Sequence, residues 1–242
     1  RSYGTVIINY DTHKFIDILN TRTSDEVAIR LSSFKNVMAV TRDRGKSYGS
    51  AIKKGLPKAD QIADKFHLDQ NLTEKVKRYI QAKLSQYIYL DNNYNIVENK
   101  KDAIYILSRN RIIGYMFKGK KILKKDEFIL VNKILKQNKE MHIVINEVFK
   151  FRNVTNNRDK HGLETIFKRW RNSEISLFKT YMRGIDDDID AVMNCVKYKE
   201  TNGLAEGKIN KLKTVKRMLY GRASHELLKS RLFLSDYFHS IE

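Results

Sequence analysis

The sequence predicts an α/β protein into which a large helical segment is set. Three observations carry this. Residues 3 to 67 alternate β-branched, strand-like runs with amphipathic helical ones, the pattern of an α/β layer. Asp91 to Glu200 follows as a series of helically periodic stretches with no convincing strand. Thr201 to Ala223, TNGLAEGKINKLKTVKRMLYGRA, then closes the chain as a capped, basic helix.

In order, Tyr3 to Tyr10 (YGTVIINY) and Lys14 to Leu19 read as two strands joined by the turn Asp11-Thr12-His13, an antiparallel hairpin. Ser24 is the N-cap candidate for a helix through Leu31. Asn36 to Thr41 (NVMAVT) is a short apolar run, as expected of a strand buried on both faces. A helix from Lys46 to Lys54 ends at Gly55 and Pro57, the single proline. Ala59 to Ala63 is the next strand. A long helix is expected from His67 to about Tyr89, with Leu68, Leu72, Val76, Ile80, Leu84 and Tyr87 inward. After the polar connection Asp91 to Lys101, an apolar-periodic stretch runs from Asp102 to Met116. Helices are expected near Lys125 to Gln137, Glu140 to Arg152, Gly162 to Arg171, Glu174 to Met182 and Asp186 to Tyr198. His225 to Leu234 is the last, with a fraying tail from Ser235 to Glu242.

The closing helix has two faces. Ile209, Leu212, Val215 and Leu219 form an apolar one, behind the N-cap Asn202. Glu206, Asn210, Lys213 and Arg217 recur at i, i+4, i+7 and i+11 on another. One carboxylate on a cationic helix suits metal-dependent chemistry on a phosphate backbone. It equally describes a solvated basic helix with an incidental Glu, and the pattern alone leaves both readings open.

Composition narrows the partner. The 242 residues carry a formal net charge of +19, which points to a polyanion, nucleic acid before an anionic membrane surface. A single cysteine, Cys195, excludes an intrachain disulfide and fits a reducing compartment. No apolar run is long enough to span a membrane.

Several constellations compete as sites. Gly45-Lys46-Ser47 imitates a phosphate-binding loop, but Val40 stands where that motif needs its first glycine. Asp186, Asp187, Asp188 and Asp190 do not face one point on a helix and read as helix-start acids. The six histidines show no zinc-ligand spacing. Trp170 reads as a core anchor. Arg42-Asp43-Arg44 stands at a strand's carboxyl end, where open α/β sheets put ligands. Asp43 either holds a divalent ion while the arginines hold phosphates, or caps a helix in a surface ion pair. Asp64 and His67 follow the next strand in the same orientation, as a capping pair or a functional one.

Taken together, the blocks TVIINYDTHKFIDILNTRTSDEV, VTRDRGKSYGSAI, ADQIADKFHLDQNL and NGLAEGKINKLKTVKRMLYGRA resemble the DDE transposases of bacterial insertion sequences, of the ISL-three type. The resemblance runs end to end and is weakest in the helical segment. It implies an RNase H-like mixed sheet core (residues 1–90), an all-helical insertion (91–200) and closing core helices (201–242). It implies DNA cleavage and strand transfer at element ends with two Mg²⁺ or Mn²⁺ ions. Asp43 matches the second catalytic Asp and Glu206 the catalytic Glu, both as metal ligands, so the two are expected to converge. Asp64 and His67 match a supporting motif. Arg42, Arg44, Lys208, Lys211, Lys213, Lys216 and Arg217 become phosphate contacts. DNA and further copies of the chain become the partners, in the bacterial cytoplasm at the nucleoid, with no membrane.

One departure bears on activity. The family's first catalytic Asp lies on a strand ahead of YGTVIINY, and neither Asp11 nor Asp17 matches it. Zinc-binding and helix-turn-helix regions of the family have no counterpart either. The expectation is an inactive fragment with its first core strand missing, in which the hairpin shifts across to pair with Asn36 to Thr41. The rival readings are a non-catalytic DNA-binding remnant or regulator, and a basic helical scaffold.

Overall fold

The computed structural model describes residues 4–118 and 122–238. Tyr3 and the tail beyond Phe238 therefore lie outside the described residues. The chain is mixed α/β and divides into two compact units, residues 1–67 with 188–242, and residues 68–187.

In the first unit, β1 (Thr5–Ile8) and β2 (Phe15–Leu19) form the expected antiparallel hairpin, with Val6 opposite Ile18 and an irregularity between Ile7 and Ile8. Its connection holds His13 at φ 57°. Helix α1 (Ser24–Ser32) has Thr23 at its N-cap position, one residue before the expected Ser24, and the Thr23 side chain makes no cap bond. It packs against α2 (Lys46–Gly55) through Val27, Ala28, Leu31, Ala51 and Ile52. The contact is close at Gly55, where a Cβ would stand 2.5 Å from the Ala28 carbonyl oxygen, so only glycine fits.

Strand β3 (Ala39–Arg42) pairs in parallel with β4 (Asp60–Ala63), Thr41 opposite Ile62. The expected shift of the hairpin onto β3 does not occur. β1–β2 and β3–β4 are separate two-stranded sheets among the described residues. Ile7 and Leu19 of the hairpin and Val40 of β3 all pack on the α1–α2 core, so side-chain burial holds the sheets without a shared backbone ladder.

Three later helices complete this unit. α9 (Ile189–Lys197) lies on β4, burying Val192, Cys195 and Val196 and donating from Asn194 Nδ2 to the Gln61 carbonyl at 2.9 Å. Burial pushes the Cys195 thiol up to about 11, leaving an inert core group. α10 (Gly203–Met218) buries no residue fully. Its Leu212 and Val215 pack with α11 (His225–Phe238) around Phe15, Ile18 and Leu232.

In sequence β4 is followed by α3 (Lys65–Lys83), whose Leu68, Leu72, Val76 and Ile80 are buried as expected. It stops well short of Tyr89. Tyr87–Leu90 is instead β5, the centre of a small antiparallel sheet with β6 (Ile96–Val97) and β7 (Tyr105–Ser108). The all-helical expectation fails here. Leu84 and Tyr87 continue the helical phase, but YIYL alternates exposed and buried residues with the period of a strand. Arg109 stops the helix by donating to the Gln81 and Leu84 carbonyls at 2.8 and 3.2 Å.

The rest of this second unit is helical: α4 (Arg109–Phe117), α5 (Lys125–Gln137), α6 (Lys139–Asn156), α7 (Lys160–Arg171) and α8 (Ser176–Asp186). Trp170, 1% exposed, is its anchor, stacked on Phe178 and close to Phe151, Phe167 and Tyr181. The indole N–H donates to buried Glu147 at 2.8 Å. Burial alone would raise the Glu147 carboxyl, but Arg169, Trp170 and Lys150 hold it below the usual range.

Candidate metal centre and basic helix

Because β3 and β4 run in parallel, the residues that follow them emerge side by side. The Asp64 N–H donates to the Arg42 carbonyl at 3.1 Å and continues the ladder one step past the strands. Asp43 and Asp64 thus leave the same end of the sheet, and His67 joins them from the first turn of α3. Asp64 Oδ1 accepts the Phe66 N–H at 2.9 Å, an Asx turn that fixes the carboxylate. Asp64 Oδ2 is then 2.6 Å from His67 Nδ1, and Asp43 Oδ1 is 3.3 Å from the same nitrogen.

One ligand atom from each of Asp43, Asp64 and His67 lies within 4.8 Å of the others, and this is the one such group of three among the described residues. His67 Nδ1 is buried and, despite those short distances, makes no properly directed hydrogen bond. A buried nitrogen aimed at neither neighbouring oxygen fits a shared cation better than a simple Asp–His bond. Two carboxylates and an imidazole are a donor set for Mn²⁺, and for Mg²⁺ where phosphate oxygens complete the shell. The side chains of Asp43 and His67 are about half exposed, so such a shell is accessible from solvent.

The loop around Asp43 is braced on both sides. Arg42, 7% exposed, donates to Gln61 Oε1 at 2.6 Å and grips Asp188 with both terminal nitrogens, at 3.2 and 2.5 Å. Arg44 reaches the same carboxylate at 3.5 Å. Asp188 was not expected here. Arg42 is the buried residue of β3 and so needs a counter-ion, but nothing near it in sequence says that Asp188 supplies it. The acids of the aspartate run go different ways, Asp186 to Arg171 at 2.5 Å and Asp188 to the arginines.

The basic helix meets this loop at its N-terminus. Asn202 Nδ2 donates to Asp43 Oδ1 at 2.8 Å. Asn202 holds the N-cap position of α10, yet its side chain makes no cap bond. Glu206 sits one turn further, its N–H on the Asn202 carbonyl at 3.0 Å. Its carboxylate is exposed and is not part of the Asp43–Asp64–His67 group.

The cations of α10 fall into two sets. Lys208 and Lys211 both bind Asp236 of α11, at 2.7 and 3.0 Å, and Asp236 also accepts the Phe15 N–H at 2.8 Å. Burial would raise the Asp236 carboxyl, but Lys208, the Phe15 N–H and Lys211 hold it below the usual range. Lys213, Lys216 and Arg217 are exposed, have no ion-pair partner among the described residues, and share an open surface at the end of α10 with Tyr220 and Gly221.

No helix among the described residues is long and apolar enough to cross a membrane. The family model of ISL-three-type DDE transposases, described as transposase, matches residues 1–232. Neither a curated protein nor a solved structure matches the chain.

Proposed function

The chain belongs to the ISL-three-type DDE transposases, a family of DNA-processing enzymes, and from that premise we propose that its metal-binding end is the group around Asp43. The observation that carries this is the convergence of Asp43, Asp64 and His67, with Asn202 tying the start of α10 to the same Asp43 carboxylate. On this reading the β3–β4 pair belongs to an RNase H-like core into which residues 68–187 are inserted.

The residues divide the work. Asp43 and Glu206 are the catalytic carboxylates, Asp43 on the strand end and Glu206 one turn into the helix that Asn202 anchors. Asp64, fixed by the Phe66 N–H, and His67 support Asp43 and complete the donor set. A bound Mg²⁺ or Mn²⁺ would activate a water or 3′-hydroxyl and stabilise the leaving oxygen of the phosphodiester. Arg42 and Arg44 hold the Asp43 loop through Asp188. Lys213, Lys216 and Arg217 hold the DNA backbone, which sets register more than sequence preference. Lys208 and Lys211, held by Asp236, brace α10 against α11 instead of contacting phosphate. The substrates are the element ends and target DNA, and the active assembly contains more than one copy.

The family's series has three acids, and residues 1–242 supply two matches, Asp43 and Glu206. Residues 1–242 therefore bind metal and DNA without completing strand transfer alone. The position of Glu206 outside the Asp43–Asp64–His67 group favours the second reading, a DNA-binding remnant or regulator. The deciding measurement is Mn²⁺-dependent cleavage of a duplex carrying the element end, by residues 1–242 and by Asp43→Ala and Glu206→Ala. Salt-sensitive binding without cleavage is expected. Robust cleavage lost in Asp43→Ala would overturn the inactivity and make Asp64 the third acid. The metal assignment is tested separately by Mn²⁺ titration under electron paramagnetic resonance, where Asp43→Ala must abolish tight binding.

A further inference from the structure

The end of α10 carries a feature that phosphate binding does not require. Tyr220 follows the helix at φ 52°, in the left-handed region that suits glycine and penalises a bulky side chain. Gly221 continues at φ 70°. The turn is well tied, Tyr220 N–H to the Arg217 carbonyl at 2.9 Å and Gly221 N–H to the Lys216 carbonyl at 3.0 Å. The ring itself is 89% exposed and meets no aromatic or cationic partner among the described residues. The fold accepts a strained backbone and gains no packing from the ring it displays. The left-handed residue and its two bonds form a Schellman helix ending; what this ending adds is an aromatic ring displayed to solvent.

Its surroundings say what the ring would meet. Lys213, Lys216 and Arg217 stand at i, i+3 and i+4 on one face of the last turns of α10, and the turn beyond the helix brings Tyr220 beside them on the same open surface. A flat aromatic face among unpaired cations is the chemistry that holds an unpaired nucleotide: the ring stacks on the base and the cations take the phosphates. Duplex DNA presents only its backbone to such a surface and leaves the ring idle. We propose that Tyr220 is a stacking platform for an unpaired DNA base, with Lys213, Lys216 and Arg217 holding the adjacent phosphates. The proposal rests on the DNA-processing reading above and specifies the form of DNA taken. Glu206 lies on the same face as Arg217, eleven residues before it, roughly 16 Å at the helical rise.

The test titrates residues 1–242 in EDTA, so that no metal-dependent step intervenes. The probes are a labelled single strand, a perfect duplex and the same duplex with one bulged 2-aminopurine. Tyr220→Ala is expected to lose about 5- to 100-fold in affinity for the single strand and the bulged duplex, and less than about twofold for the perfect duplex. Tyr220→Phe keeps the wild-type values, because stacking needs the ring and not the hydroxyl. Lys216→Ala weakens all three alike. Wild type and Tyr220→Phe quench the 2-aminopurine emission and Tyr220→Ala does not. An equal loss on all three probes, no loss at all, or Tyr220→Phe behaving like Tyr220→Ala would overturn the proposal. Thermal melts of each variant confirm folding. Cleavage plays no part in these readouts, so failure here leaves the metal-site reading standing, and failure of cleavage leaves this result standing.

Discussion

Asn202 Nδ2 donates to Asp43 Oδ1 at 2.8 Å, joining residues 159 apart in sequence. The bond replaces a local one. An Asn at an N-cap ordinarily accepts from a backbone N–H of the first turn, a bond whose loss costs about 1 kcal/mol. Asn202 makes none and turns its amide outward to the carboxylate. The start of α10 is thereby held to the strand end that carries Asp43, and Glu206 follows one helical turn away.

Substituting Asn202→Asp sets a second carboxylate against Asp43. Without metal the two repel, and at this half-exposed site the expected loss of stability is about 1 kcal/mol. With Mn²⁺ the added oxygen becomes a ligand and the loss reverses. Thermal melts with and without Mn²⁺ measure both. A variant equally destabilised in each condition would mean that no cation binds beside Asp43.

Asp236 controls a pH-dependent piece of the fold. Its carboxyl is depressed despite burial, because Lys208, the Phe15 N–H and Lys211 favour the charged form. A depressed carboxyl contributes stability that is present above its unfolded value of about 3.9 and is lost as pH falls through the folded value. Asp236→Ala strands Lys208 and the Phe15 N–H, at an expected cost of about 2 kcal/mol near pH 7. Denaturant melts across pH should show the gap between variant and wild type closing below about pH 4. A gap independent of pH would assign the loss to packing.

Salt dependence separates the two sets of cations on α10. Lys213 and Arg217 are unpaired, so changing both to Ala should flatten the log-affinity versus log-salt slope by about two units, one per phosphate contact. Lys208 is bound to Asp236 at 2.7 Å, so Lys208→Ala should lower the melting temperature and leave the slope nearly unchanged. The opposite pattern would place the phosphate track along Lys208 and Lys211.

Local signals in the sequence were reliable where burial and propensity agree. The hairpin, the helix from Lys125 to Gln137 and the anchoring role of Trp170 all follow from short-range pattern. Tyr87–Leu90 misled because Leu84 and Tyr87 keep the helical phase of α3, while the helix is ended by Arg109, a residue distant in sequence. The hairpin's failure to pair with β3 was also unreadable, since the α1–α2 core holds both sheets by side chains. At the site, Asp43 and Asp64 are legible as strand-end residues and His67 as their neighbour in the next helix, while their convergence depends on the parallel register of β3 and β4. Asp188, Asp236 and the outward turn of Asn202 had no local sign, because each is set by a partner remote in sequence.

Tyr220→Gly should move stability and binding in opposite directions. The left-handed backbone at φ 52° costs a bulky residue about 1–3 kcal/mol, and glycine adopts it without penalty. Glycine gives back part of that gain through the greater freedom of the unfolded chain, about 0.5–1 kcal/mol. A net stabilisation of about 1 kcal/mol remains, or a rise of about 2–4 °C in Tm for a chain of this size. Since the ring is 89% exposed, little packing is lost with it. The same variant should lose the single-strand preference assigned to Tyr220. A fall in Tm would show that the ring packs in solution and that its conformation is supported by contacts instead of held under strain. A rise in Tm with single-strand binding intact would leave the strain real and its use elsewhere.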